Sequence, residues 1–160
     1  MNGGDPGSTS ALGGALRGHA LRLADLVDEL TPTAHAVHAG RVDHAVAERD
    51  LLVSTADELD RVGALLQQWT ATTVDSLARL RQLDHQLAAA GLEVSGNKVV
   101  ESLGPSRVDP DERLRSRELL QELLNRVTSA RAKQLARLAR ELDASRTTLA
   151  RLSDVARSGR

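Results

Sequence analysis

Two leucine-rich rows, one over residues 52–87 and one over residues 120–152, advance in steps of three or four. That spacing returns an apolar side chain to one face of a helix at every turn and is the coiled-coil period. The first row is Leu52, Ala56, Leu59, Val62, Leu66, Trp69, Thr73, Leu77, Leu80, Asp84 and Leu87. The second is Leu120, Leu124, Val127, Arg131, Leu135, Leu138, Leu142, Ser145, Leu149 and Leu152. Apart from Trp69 the chain has no aromatic residue, and it has no cysteine. Leu, Ala and Val must therefore build the interior, and they favour helix-on-helix contact. The expected fold is all-α: an elongated antiparallel three-helix bundle, or a coiled-coil hairpin, with a loop or small β tip.

The boundaries follow from local signals. Residues 1–10, rich in Gly and polar, read as a disordered tail, ahead of a single helical domain over 11–158. A first helix is expected near 11–38, carried by Leu12, Leu16, Leu23, Leu26, Val27, Leu30, Ala34 and Val37. Gly13 and Gly14 weaken its first turn, Pro32 calls for a kink or an early end, and Gly40 supplies a left-handed stop. A second helix is expected over 42–90, weakened at Gly63 and through Thr70–Thr73 but held by its continuing row. Gly91 stops it. The tip, 91–109, is either an irregular loop or a hairpin in which Val94, Val99 and Val100 flank Ser95-Gly96-Asn97. Asp109-Pro110-Asp111-Glu112 opens a third helix over 110–156, with proline in the first turn and acids at the positive end of the dipole.

The second and third helices match in length and should pair antiparallel. Asp84, Arg131 and Ser145 are polar lapses in the rows, and Leu83 is placed to take over the contact from Asp84. Residues 1–108 carry 9 basic and 14 acidic side chains against 12 and 8 in 109–160. Asp57, Glu58 and Asp60 are therefore expected opposite Arg137 and Arg140. Trp69 falls at the level where the first helix begins and should plug the bundle there, or serve as a recognition residue.

Function is less legible than fold. No phosphate loop, nucleophile elbow or His-Glu-x-x-His motif is present, so the chain reads as non-enzymatic and without a cofactor. His35 and His38 share a helix face, with His44 just beyond, a weak metal-ligand arrangement. Arg126, Arg131, Lys133, Arg137 and Arg140 form a basic run that contains no acid, with acids of the second helix placed to neutralise it. With a net charge of −1 and no aromatic interleaved for stacking, nucleic acid is the secondary partner. The favoured partner is another protein or a second copy, contacted through Val94, Val99, Val100 and Leu103 of the tip and through Trp69. No membrane span and no leader pattern is evident, so the expected location is cytoplasmic, or outside the cell without a cleavable signal. The Arg-over-Lys bias, with lysine only at 98 and 133, suits a high-GC bacterium.

Trp69-Thr70-Ala71, set between Ala/Leu-rich helical stretches over 11–90, resembles the WXG-type helical-hairpin proteins of type VII secretion. The resemblance implies a turn between antiparallel helices at the Trp, and a leaderless secreted protein or a helical partner of one. Ala71 stands where the motif has Gly, and the chain has no Tyr for that family's C-terminal export signal.

Overall fold

A computed structural model describes residues 5–34, 39–104 and 108–158, with the backbone alone at 30–34 and 39–43. The fold is all-α with a small sheet: α1 (Pro6–Ala34), α2 (Ala39–Ala89), β1 (Leu92–Ser95), β2 (Lys98–Glu101) and α3 (Pro110–Ser158).

Both ends of the helical grammar are visible in the caps. Asp109 Oδ1 accepts from the amides of Asp111 and Glu112 at 2.9 and 3.3 Å, and Pro110 occupies the first turn, where it has no donor to lose. The same arrangement starts α1. Asp5 accepts from the Gly7 amide at 3.3 Å and from the Ser8 amide at 2.9 Å, with Pro6 in the first turn. The expected disordered tail over 1–10 is thereby corrected: Pro6–Ser10 are helical. α1 also runs through Pro32 to Ala34, and Gly40 lies in the first turn of α2 rather than acting as a stop. Gly91, at φ 69°, does end α2 in the left-handed conformation that a residue with a Cβ avoids.

The chain divides into two compact units. The first comprises residues up to Thr70 together with Arg137 onward; the second is Ala71–Ala136.

In the first unit α1 lies antiparallel to α2 on a track of small residues. Thr70 Oγ1 donates to the Pro6 carbonyl at 3.5 Å. Seven residues further along each helix, Gly13 faces Gly63. A Cβ on Gly13 would sit 2.8 Å from the Gly63 carbonyl oxygen, and one on Gly63 would sit 2.7 Å from the Gly13 oxygen. Both distances are shorter than real Cβ contacts, so the crossing requires glycine on each side. The next seven-residue step brings Ala20 level with Ala56, and both are buried. Small side chains at heptad spacing let two helix backbones approach closely. Arg17 closes one flank, donating to Asp60 at 2.8 Å and to Gln67 at 3.2 Å. On the other side Arg61 pairs with Glu58 at 2.7 Å and reaches α3, where it donates to Ser145 Oγ and to the Glu141 carbonyl. Ser145 is 2% exposed, so this lapse in the leucine row is a buried hydroxyl satisfied from α2.

The second unit packs on leucine. Leu83, Leu87 and Leu124 form its core together with Leu92 and Val99 of the hairpin. Leu83 is 1% exposed and does take the contact that Asp84, exposed, gives up. The tip is a hairpin with Val94 paired to Val99 and Ser95 to Lys98. Gly96 has φ 65° while Asn97 stays at negative φ, the combination used by type II′ hairpin turns. Leu92, Val94 and Val99 share one hairpin face, of which Leu92 and Val99 are buried while Val94 is exposed. Gln121 of α3 fastens it: its Oε1 accepts from the Val99 amide at 2.7 Å, and its Nε2 donates to the Asn97 carbonyl at 3.1 Å.

Candidate protein-contact surfaces

The tip residues anticipated as a docking patch separate into two groups. Val99 is 5% exposed and belongs to the core of the second unit, so it is corrected from a contact residue to a structural one. The reason is the pairing register, which turns Val99 to the same face as Leu92. Val100 is half-buried. Val94 is 38% exposed, and Leu103, beyond β2, is fully exposed. Leu103 is followed by Gly104 at φ 134°, a conformation reserved for glycine. Trp69 is half-buried inside α2, which continues unbroken from Ala39 to Ala89. The turn that the WXG resemblance implies at this position is not formed there.

Two of the five members of the basic run pair with acids of their own helix. Arg126 pairs with Glu122 at 2.9 Å and Arg137 with Glu141 at 2.6 Å, each one turn back or forward along α3. The hydrogen bond from Arg137 to Glu141 raises the guanidinium's affinity for its proton. Asp57, Glu58 and Asp60 do not face Arg137 and Arg140 as expected. Asp60 is taken by Arg17 of α1 and Glu58 by Arg61 of its own helix. The Arg61 hydrogen bond holds the Glu58 carboxyl below the usual carboxylate range, against the opposing effect of partial burial. Arg131 is half-buried, while Lys133 and Arg140 are exposed.

His35 and His38 lie outside the described residues. His44 is exposed and sits 3.1 Å from Glu48, one turn along α2. Among the described residues no three His, Cys, Asp or Glu side chains gather closely enough to hold a metal ion. No described helix is long and apolar enough to cross a membrane.

Two apolar surfaces face outward: Leu12 and Leu26, which belong to the row expected for the first helix, and a second row on α3 that flanks the expected one. On α1, Leu12 and Leu26 are 54% and 48% exposed, each one residue ahead of a buried position, Gly13 and Val27. On α3, Leu119, Leu123, Arg126 and Ala130 advance by four, three and four, one residue ahead of the row Leu120, Leu124, Val127 and Arg131. Leu119 is 68% exposed and Ala130 is exposed, whereas Leu124 is 4% exposed. This second row borders an open cleft of about 380 Å³ within the second unit. The α3 wall of the cleft is Leu123, Arg126, Val127, Ala130 and Gln134; the α2 wall is polar, with Thr72, Ser76 and Arg79. A helix carrying two adjacent apolar rows is suited to contact on two sides, as in bundles of four. The doubled period is present in the sequence and is the signal by which this surface could have been found.

No family model, curated protein or solved structure matches the chain.

Proposed function

We propose that this chain is a non-enzymatic helical module that works by protein–protein contact. The carrying observation is the imbalance of its apolar surface. The described residues bury nine apolar side chains and leave eleven large ones exposed. Singly scattered apolar residues need no explanation. Leu12 with Leu26, and Leu119 with Ala130, are different, because they recur at helical spacing on continuous helices, with Leu123 half-buried between the last two. Leu103 adds a fully exposed apolar side chain beside the hairpin. Surfaces of this kind are stabilised when another helix or protein covers them.

A narrower form of the reading makes the partner or substrate relation one of type VII secretion. Its support is Trp69-Thr70-Ala71 within Ala/Leu-rich helix, and the unbroken course of α2 through Trp69 weighs against it. A second class, a nucleic-acid-associated or regulatory coiled coil, would use Arg126, Arg131, Lys133, Arg137 and Arg140. The pairing of Arg126 and Arg137 with acids of α3 leaves it less charge to offer a phosphate.

The test is affinity capture from the native host with the wild-type chain and with Leu12→Glu/Leu26→Glu/Leu103→Glu/Leu119→Glu. These positions are solvent-facing, so helicity by circular dichroism should be retained. The wild type should hold a protein in stoichiometric amount, another copy included, and the quadruple variant should release it. An identical, unaccompanied elution of the two proteins would overturn the reading. DNA binding that weakens steeply with added salt would favour the nucleic-acid class instead.

A further inference from the structure

We infer that the second apolar row of α3 pairs with the same row of a second copy of this chain, antiparallel and about a two-fold axis. The inference rests on the contact-module reading and names its partner. Leu119, Leu123, Arg126 and Ala130 have coiled-coil spacing; Leu119 is 68% exposed at one end of the row and Ala130 exposed at the other, while Leu123 is half-buried with one side against the core of its own unit. An antiparallel coiled coil aligns each a position with a d position of its partner. For this row that alignment sets Leu119 of one copy against Ala130 of the other, and Leu123 against Arg126. Every layer is then one large and one small or flexible side chain, with no pair of leucines forced together and no pair of alanines leaving a void.

Charge selects the same occupant. Arg126 and Glu122 are paired at 2.9 Å within one helix and both are exposed. A two-fold axis between Leu123 and Arg126 carries each Arg126 towards the Glu122 of the other copy, so the acid–base pair is its own complement. A self-complementary patch is what a two-fold interface requires. The α3 stem of Arg126 stays on the apolar row while its guanidinium reaches the rim.

Analytical ultracentrifugation of the whole chain tests this. The wild type should pass from the 17.1 kDa species to twice that mass, with a dissociation constant in roughly the micromolar range expected of a short interface. Arg126→Glu and Glu122→Arg each set like charges across the axis and should weaken the dimer at least about tenfold. The exchange Glu122→Arg/Arg126→Glu restores the pair and should return it to within about threefold of the wild type. Because the chain has no cysteine, a mixture of Leu119→Cys and Ala130→Cys proteins should oxidise to the mixed disulfide, with little of either homodimer. A wild type that stays monomeric at about 500 μM, well above the range for a biological contact of this size, overturns the inference while leaving capture of a different protein as the test of the wider reading. Dimerisation indifferent to all three charge variants, or Leu119→Cys pairing with itself, overturns it as well.

Discussion

The two units solve the same problem, packing long helices without aromatics, by opposite means. The first brings α1 and α2 together over Thr70, Gly13/Gly63 and Ala20/Ala56, so its contact is backbone against backbone and its specificity is the absence of side chains. The second keeps its helices apart with Leu83, Leu87 and Leu124 and fills the remaining side with a hairpin carrying Leu92 and Val99. The difference teaches where each is fragile. A small-residue crossing fails when atoms are added; a leucine core fails when they are removed.

The sharpest break of that comparison is in the second unit. Leu124→Ala should cost about 3 kcal/mol, since it removes a 4% exposed side chain from the centre of a five-residue core and leaves a cavity. Urea unfolding followed by helicity measures it; a loss under about 1 kcal/mol would show the core to be looser than its burial implies. Next is Gln121→Ala, expected to lose about 2 kcal/mol. It takes the acceptor from the Val99 amide and the donor from the Asn97 carbonyl, and hydrogen exchange at Val99 should accelerate.

The glycines test the first unit directly. Gly63→Ala should cost about 1 kcal/mol although alanine is the better helix former, because its Cβ meets the Gly13 carbonyl. Gly18→Ala, where nothing lies within 4 Å of the added atom, should instead stabilise by up to about 1 kcal/mol. Unfolding followed through Trp69 fluorescence compares them, and equal signs would refute the close crossing. The smallest effect is electrostatic. Glu58 has its folded-state pKa depressed by Arg61, so its contribution is present above the unfolded-state value and is lost as the pH falls through the folded-state one. Stability should therefore decline below about pH 4 by less in Glu58→Gln than in the wild type, which acid titration of the unfolding midpoint would reveal.

Much of the fold was legible because it depends on period alone. The rows predicted α2 and α3, Gly91 predicted the end of α2, and Leu83 was marked to replace Asp84. What escaped was of two kinds. Asp5-Pro6 is the same helix-opening pair as Asp109-Pro110, yet only the second stands out as a start, because Gly3, Gly4 and Gly7 around Asp5 mimic a disordered tail. Gly13 and Gly63 were read as weak helix formers, since propensity describes one helix at a time and their value lies in a second helix arriving. The contact surfaces escaped for a related reason. The main row of α3 accounts for that helix's first neighbour, and Leu119 beside it matters only once that neighbour is in place; Leu12 and Leu26 lie in the row expected for α1, and the register of its contact with α2 turns them outward.

The sequence by itself determined which stretches are helical, roughly where they stop, and that they meet through Leu, Ala and Val. Those are consequences of local sterics and of hydrophobic period, which each segment carries within it. Only the tertiary structure decided which acid meets which base, that Val99 is core and Leu103 is surface, and that two glycines separated by fifty residues share one contact. Pairings of that kind depend on register between distant segments, and a one-residue change in register turns a different face inward without altering the pattern of either segment.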